Sequence, residues 1–440
     1  MNRNRLSTLT LATALAATFL ATTPHPAAAV VNRASIRVQT SYLLRANLDF
    51  AAGTILATER ITVTNRSGAK ISKLNLSVMP RAFGELTSIG RYTVDGRPVT
   101  ARWTNNSNLE LQLGRDVPVG ATVKVRLAFA VRASGVIGTS LEGRLSKANN
   151  IMQVSHWFPI VSDGHPTRYP GDSQHSRVAR KIRLELTTDS ADVRIAAPGS
   201  VVSSSGRSHV YEMSNTRDFA FGASPDYLVS KGSAGGVTVV AYATTGQGAL
   251  AVLRATAAIN KYEAVYGEYQ WSRLVIAQTG RAGSGNEYPG IVFLGGPLFE
   301  SRQEVAHELA HQWWYAMAGN DQLREPWLDE GLAEFTADYF FGALPTFVSV
   351  RPVNSSVHEF PNVPAPVTSD DPGSYNQTVY FKAARFLDSL RVRMGTTKFF
   401  AGLRDLFAAN RNGIVTTREF YDTMARYGAS RTYMGQFIRL

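Results

Sequence analysis

The chain has 440 residues, of which 44% are hydrophobic and 18% charged, a composition that excludes a disordered chain and predicts two or three folded domains. It contains no cysteine, which excludes disulfide bonds and leaves only histidines and carboxylates to hold a metal. The net charge is +12, but the basic residues are scattered, so we expect no nucleic acid partner and at most a loose attraction to anionic envelope surfaces.

The N-terminus has the order of a secretory signal peptide. Arg3 and Arg5 precede an apolar stretch over residues 6–20, and Ala27-Ala28-Ala29 offers a small-residue cleavage site. The alternative is a membrane anchor, but the apolar stretch is short for a spanning helix, which needs about 20 apolar residues. We predict that residues 1–29 are removed and that the mature protein is secreted or extracytoplasmic, with no transmembrane segment.

Residues 30–232 have the pattern of a β-rich domain. Apolar and polar residues alternate over 74–78, 109–113, 123–131 and 182–186, and turn-forming clusters separate these runs. Alternation with a period of two places one face of each strand in a core and the other in water. The prediction is an all-β sandwich or saddle.

The pattern changes after a glycine-rich segment, residues 231–236, which is the predicted linker. A second domain over 237–440 follows, with short apolar runs at 274–276 and 291–294 that predict buried strands. Residues 247–266 predict a helix, and four apolar residues are available for its buried face: Leu250, Leu253, Ala257 and Val265. From residue 301 onward helices dominate and form a short C-terminal helical segment.

One predicted helix carries a metal-binding pattern. Ser301 and Glu304 have capping-box spacing, so a helix beginning at Arg302 is expected. His307 and His311 are four residues apart and therefore lie on one face of that helix, where both imidazoles can reach one zinc ion. Glu308 stands beside the first histidine, where its carboxylate can take a proton from the attacking water.

A second helix supplies a candidate third ligand. Glu330 follows His311 with 18 residues between them, which allows one helix to end and a second to pack against it. Two histidines and one glutamate form a known catalytic zinc set that leaves the fourth position open to water, although another divalent ion could replace zinc. Glu334, one turn later, is either a hydrogen-bond partner of a ligand histidine or a solvated carboxylate.

The sequence His307-Glu308-Leu-Ala-His311-Gln-Trp, followed after 18 residues by Glu330 in Trp-Leu-Asp-Glu-Gly-Leu-Ala, resembles the aminopeptidase-N-like family of gluzincin metallopeptidases. Leukotriene A hydrolase belongs to that family. The resemblance extends over about residues 237–425. It implies a thermolysin-like catalytic domain after the N-terminal β domain and one Zn²⁺ ion as cofactor.

The resemblance also implies two further site residues. Gly285-Asn-Glu287-Tyr-Pro-Gly is similar to the family element whose glutamate binds the free α-amine of the substrate, and this role falls on Glu287. Tyr380-Phe-Lys-Ala resembles the family's Tyr-x-Lys-Gly element, in which the tyrosine donates a hydrogen bond to the oxyanion. Asn286 and Ala383 depart from the family pattern, which usually has Met and Gly there.

These observations predict an exported zinc metallopeptidase that removes N-terminal residues from peptides. The first alternative is an endopeptidase on the same scaffold, if Glu287 does not face the cleft. The second is an exported binding protein whose metal site is not catalytic. The sequence leaves the preferred residue, the final compartment and the oligomeric state open.

Overall fold

The computed structural model describes residues 37–134, 144–164, 177–283, 285–322, 325–342, 376–438 and 440. The predicted signal peptide, residues 1–29, lies outside the described residues. Among the helices of the described part of the chain, none is both long and apolar enough to cross a membrane.

Twenty-one strands alternate with loops along the described residues. Their bounds are β1 Val38–Asp49, β2 Thr54–Asn65, β3 Ile71–Ser77, β4 Leu86–Val94, β5 Arg97–Pro98, β6 Ala101–Trp103, β7 Asn108–Val117, β8 Thr122–Arg132, β9 Leu145–Ala148, β10 Ile151–Val154, β11 Ile160–Val161, β12 Ala179–Thr188, β13 Arg194–Ala196, β14 Ser200–Ser205, β15 Ser208–Thr216, β16 Phe221–Ser224, β17 Leu228–Ala234, β18 Val237–Ala243, β19 Arg273–Thr279, β20 Gly285–Tyr288 and β21 Ile291–Gly295.

The α-helices are short near the N-terminus and longer in the second half. Their bounds are α1 Met79–Ala82, α2 Gly248–Tyr266, α3 Arg302–Ala310, α4 Glu330–Phe341, α5 Ala383–Met394, α6 Thr396–Asn410, α7 Thr417–Arg426 and α8 Arg431–Met434. Gly296–Glu300 and Pro326–Leu328 form 3₁₀ turns, and Asn376–Lys382 forms a π-helix that leads into α5.

The N-terminal half consists of three sheets around an apolar core. The largest has eight strands in the order β14-β15-β12-β1-β2-β8-β4-β5, and two four-stranded sheets have the orders β13-β16-β10-β9 and β11-β3-β7-β6. Strand β8 shows why the alternation was informative. Its apolar residues Val123, Val125 and Leu127 are buried while Lys124 and Arg126 between them are exposed.

The second half is built on a five-stranded sheet with the order β17-β18-β19-β21-β20. Strands β18, β19 and β21 run parallel, whereas β17 and β20 are antiparallel to their neighbours. The predicted linker at 231–236 is wrong, because Leu228–Ala234 forms strand β17 and pairs with β18 through a tight turn at Gly235 and Gly236. These glycines form the turn of a β-hairpin, in which residues with positive φ, such as Gly235, are favoured.

Helix α2 packs on this sheet with a face that differs from the predicted one. Leu250 and Leu253 are 38% and 66% exposed. The buried face consists instead of smaller and aromatic residues: Ala251, Val252, Ala255, Ala258, Ile259, Tyr262 and Tyr266. Small residues occupy much of this face because α2 lies close to β17. The distance is so short that a Cβ added at Gly232 of β17 would come 2.5 Å from a methyl group of Val252 on the helix.

The two halves are joined by buried polar contacts as well as by the core. The indole of Trp271 donates to the carbonyl of Ser214 at 2.8 Å, and Asn149 donates to the carbonyl of Gly280 at 2.7 Å. Arg217, at the end of β15, donates to the carbonyls of Tyr315 and Ala316, which follow α3. The β domain therefore contacts the segment that directly follows His311.

Candidate metal centre

Helix α3 carries the two candidate histidine ligands. Its first turn is capped by Ser301, whose hydroxyl accepts the Glu304 N–H at 3.1 Å, as the sequence predicts. His307 lies in the last turn and His311 is the C-cap residue, with a backbone that is still close to helical. Their Nε2 atoms are 3.2 Å apart, so the i, i+4 spacing brings both rings to one point.

Helix α4 brings Glu330 to the same point. Its Oε2 lies 3.4 Å from His307 Nε2 and 3.2 Å from His311 Nε2. All three side chains are buried. Glu330 is the first residue of α4, after a 3₁₀ turn that begins at Pro326, where the missing N–H of proline costs no hydrogen bond.

Each histidine has a carboxylate near its other ring nitrogen. His307 Nδ1 lies 3.0 Å from Glu334 Oε2, and His311 Nδ1 lies 3.5 Å from Asp329 Oδ1 and 3.3 Å from the carbonyl of Trp314. Acceptors at Nδ1 favour the tautomer in which Nδ1 carries the proton. Both Nε2 lone pairs are then free to bind a metal. Asp329 was missed by the sequence analysis, although its place directly before Glu330 was a usable signal.

The three donor atoms have the spacing that a metal ion requires. In a tetrahedral zinc site with bonds of about 2.0–2.1 Å, neighbouring donors are about 3.3 Å apart. The three distances among these atoms, 3.2, 3.2 and 3.4 Å, agree with that value. Among the described residues, His307, His311 and Glu330 form a group in which one possible ligand atom from each side chain lies within 4.8 Å of the other two. The residues present therefore fit zinc.

The charge around the site also favours a cation. Five buried carboxylates surround the two imidazoles, and they belong to Glu287, Glu308, Asp329, Glu330 and Glu334. Burial disfavours a charged imidazole, yet the Glu330 and Glu334 carboxylates raise the pKa of His307 to about 10. The surroundings thus stabilise positive charge at this point, which a divalent cation supplies more fully than a proton does.

Glu308 is buried beside the donor set without belonging to it. Its carboxylate lies against strand β20, where a Cβ at Gly285 would collide with Glu308 Oε1, so this close approach requires glycine. Burial, together with the negative charge of Glu287, raises the pKa of Glu308 to about 8. A bound divalent cation acts in the opposite direction. The arrangement places a buried carboxylate on the residue directly after His307, between the donor set and β20.

Glu287 lies on β20, the edge strand of the five-stranded sheet. It is buried, and it is two residues after Gly285 on β20, so its side chain lies on the same face of the strand that packs against Glu308. Its negative charge also raises the pKa of Glu308 and His311. The neighbouring Asn286 accepts a hydrogen bond at 3.2 Å from Gln153, on strand β10 of the N-terminal domain. Gln153 is 1% exposed and its Oε1 has no hydrogen-bond partner among the described residues. No sequence motif indicated that it approaches this edge.

Tyr380 reaches the site from the π-helix that precedes α5. Its ring stacks on that of His307, with centroids 6.0 Å apart and planes 14° apart. π-helical turns are rare and are frequent at functional sites. The structure therefore brings together the seven predicted site residues, which come from α3 with its C-cap, α4, β20 and this turn, and their catalytic roles are predictions.

Comparison with known proteins agrees with this geometry. Residues 300–439 match the model of the peptidase family M1 domain. Human endoplasmic reticulum aminopeptidase 1 is 27% identical over 135 residues, a match that covers 28% of this chain and 14% of the human enzyme. The compared segment is thus a small part of that relative.

Similar solved structures cover nearly the whole chain. The M1 zinc metallopeptidase from Deinococcus radiodurans has a TM-score of 0.69 at 15% identity and covers 91% of this chain and 92% of its own. A variant of it was solved with the substrate Tyr-Ser-Ala. A two-domain M1 zinc metallopeptidase variant bound to L-tryptophan has a TM-score of 0.70 at 16% identity, with 92% and 94% covered.

The fold is similar to that of M1 zinc metallopeptidases, and the donor set is one that can hold a zinc ion. More narrowly, the match of residues 300–439 to the peptidase family M1 domain confirms the predicted resemblance to the aminopeptidase-N-like family. The predicted fold class, a β-rich N-terminal domain followed by a metallopeptidase domain with a helical end, is also confirmed.

Proposed function

We propose that this protein is a zinc-dependent aminopeptidase that removes N-terminal residues from peptides. The observation that carries the proposal is the position of Glu287, a buried carboxylate on the face of β20 that packs against Glu308. A carboxylate so close to the reacting atoms can pair with the ammonium group of a substrate. That pair would place the first peptide bond, rather than an internal one, at the metal.

His307, His311 and Glu330 would hold the zinc ion, which polarises the scissile carbonyl and lowers the pKa of water when it is bound. Glu334 keeps the His307 ring in its orientation, since its carboxylate lies 3.0 Å from Nδ1. Asp329 has the same relation to His311 at the longer distance of 3.5 Å.

Glu308 is the proposed general base. It takes a proton from the attacking water and passes it to the nitrogen of the leaving amine, so that the C–N bond breaks as a neutral amine departs. Its burial against β20 keeps it in one place and excludes bulk water from the carboxylate. Tyr380 donates its phenolic hydrogen to the oxyanion that forms on the attacked carbonyl. The stacking of its ring on His307 supports that position.

The named relatives support a peptide as the substrate. The variant of the Deinococcus enzyme was bound to the tripeptide Tyr-Ser-Ala, and the human relative is called an aminopeptidase. Neither relative decides whether this chain acts on peptide ends or on internal bonds.

A paired digest tests the proposal. The zinc-loaded protein is given one short peptide with a free N-terminus and the same peptide acetylated, and the products are followed by mass spectrometry. Stepwise shortening of the free peptide alone is expected, and Glu287→Gln should reduce it with zinc still bound. Cleavage of both peptides at internal bonds would establish an endopeptidase, and no cleavage of either would favour a binding protein.

We also propose that the chain is exported. The support is the order of Arg3 and Arg5, an apolar stretch over 6–20 and the small residues at 27–29. Expression of the full chain in a bacterial host should give a protein outside the cytoplasm whose N-terminus begins near residue 30. Retention of residues 1–29 on a cytoplasmic product would contradict it.

A further inference from the structure

A second buried cluster of ionisable residues lies where the N-terminal domain meets strand β20. Its members are Arg144, His156 and Asp218, called here the Asp–His–Arg cluster. His156 Nδ1 is 2.9 Å from Asp218 Oδ2, and Arg144 Nη1 donates to His156 Nε2 at 3.1 Å. Both His156 and Asp218 are buried, with side chains 6% and 1% exposed.

The contacts set the state of the imidazole. A guanidinium has donors and no acceptor, so His156 Nε2 must accept, and its proton is on Nδ1, facing Asp218. Each ring nitrogen therefore faces a charged side chain of opposite hydrogen-bonding character, which favours one orientation of the ring. The backbone of His156 has φ of +49°, a left-handed conformation that non-glycine residues seldom adopt and that is concentrated at functional sites.

The Asp–His–Arg cluster contacts Tyr288, the residue that directly follows Glu287 on β20. Arg144 Nη1 also donates to the phenolic oxygen of Tyr288 at 3.2 Å, and the His156 ring packs edge-on against Tyr288 with centroids 5.2 Å apart. Burial raises the pKa of Tyr288 to about 12, so its hydroxyl remains protonated. The side chain of Tyr288 is thus held by the N-terminal domain.

The backbone of Tyr288 is bound by a residue that follows the helix of the two histidine ligands. Gln312, directly after His311, donates to the Tyr288 carbonyl at 3.0 Å and accepts the Gly290 N–H at 2.8 Å. Tyr288 is 0% exposed. Strand β20 is therefore held through the Tyr288 side chain by Arg144 and His156 and through its backbone by Gln312.

We propose that Arg144, His156 and Asp218 are positioning residues for Glu287, through which the β domain sets the place of the substrate amine relative to the metal. The inference rests on the proposed role of Glu287. None of the three residues needs to touch the substrate. Because the amine anchor binds the substrate in the ground state and in the transition state alike, its displacement should raise KM by a larger factor than it lowers kcat.

The test compares His156→Gln with His209→Gln in the full, zinc-loaded chain. His209 is also buried in the β domain, where its Nδ1 contacts Ser204 Oγ at 2.9 Å, so it controls for the loss of a buried imidazole. For a peptide with a free N-terminus, His156→Gln should raise KM roughly tenfold, because a displaced Glu287 loses part of its charge-assisted hydrogen bonding to the substrate amine. His209→Gln should leave KM unchanged.

A double-variant cycle with Glu287→Gln separates positioning from a general structural role. If His156 acts through Glu287, the pair His156→Gln and Glu287→Gln together should have the KM of Glu287→Gln alone. Multiplying effects, or an unchanged KM in His156→Gln, would overturn the inference. Arg144→Met should reproduce the effect of His156→Gln, which guards against failure of one variant to fold.

Failure of the proposed function gives a different result. If Glu287→Gln itself does not change KM for the free peptide, then the amine anchor is wrong and the inference falls with it. If Glu287→Gln raises KM while His156→Gln and Arg144→Met do not, then only the inference is overturned.

Discussion

Arg217 is expected to be a main attachment between the two halves of the molecule, and replacing it by methionine is the most informative test of the fold. Arg217 is 3% exposed and donates to the carbonyls of Tyr315 at 3.1 Å and Ala316 at 3.3 Å, and also to that of Gly413. The guanidinium lies against Gly319, where a Cβ would come 2.5 Å from its central carbon, so glycine at this position leaves room for Arg217.

The magnitude follows from two opposing contributions. Three carbonyls that lose a buried donor cost roughly 1–3 kcal/mol each, which sums to roughly 3–9 kcal/mol. Burial lowers the pKa of Arg217 from 12.5 to about 10, and about 1.4 kcal/mol per tenfold change makes its buried charge unfavourable by about 3 kcal/mol. Removing the charge recovers that amount. The difference is a net loss of roughly 0–6 kcal/mol in the free energy of unfolding, and the middle of that range, about 3 kcal/mol, is the expected value.

The assay is urea unfolding of the Arg217→Met protein followed by tryptophan fluorescence and circular dichroism. Arg404→Met is the matched control, because Arg404 also donates to two carbonyls, those of Val265 and Ala264, at 2.9 Å, but in an exposed place. Water can replace those bonds, so the control should lose less than about 1 kcal/mol. Equal losses in the two variants would refute the argument that burial makes the Arg217 contacts important.

Four further predictions concern single side chains. Glu308→Gln should retain zinc, measured by metal analysis, and lose about 10²–10⁴-fold in kcat, since it removes the general base but no donor atom; unchanged turnover would rule out the mechanism. Tyr380→Phe should lower kcat by about 10²–10³-fold with KM little changed, because the oxyanion donor acts only in the transition state; a change in KM alone would contradict this role. Glu334→Gln should weaken zinc binding about 10–100-fold in a chelator competition, whereas Glu268→Gln, an exposed control, should have no effect. Glu59 is 2% exposed with neither carboxylate oxygen hydrogen-bonded among the described residues, and burial raises its pKa. Its neutral form is therefore favoured in the folded state. As pH rises above about 4.5, the unfolded state loses this proton first, so the wild type should lose free energy of unfolding relative to Glu59→Gln between pH 4 and pH 8; a constant difference over that range would argue against a raised pKa.

The sequence predicted the features that depend on only a few neighbouring residues, such as the start of a helix and the side of a helix on which two residues lie. The helix that begins at Arg302 follows from the Ser301 cap. A local signal of the same kind, the capping box of Thr416 and Glu419, marks the start of α7. The convergence of His307 and His311 follows from a helical spacing of four. These features depend on hydrogen bonds and periodicities that span one or two turns, so a short stretch of sequence specifies them.

Long-range packing overruled local pattern in two places. Residues 231–236 have a linker's composition, but the backbone of β18 pairs with them and turns them into a hairpin. Leu250 and Leu253 are apolar, but the close approach of α2 to β17 admits smaller residues on the buried face. In both cases the deciding partner is an element whose position the local residues do not reveal.

The sequence by itself determined the chemistry of the metal site, because the two histidines, the neighbouring base and the third carboxylate belong to two consecutive helices with regular spacing. The tertiary structure decided what surrounds that chemistry. Gln153 meets Asn286 across 133 residues and Arg144 meets Tyr288 across 144. Contacts of that kind arise only when two domains pack, since their formation depends on shape and buried polar pairing over the whole interface rather than on any local periodicity.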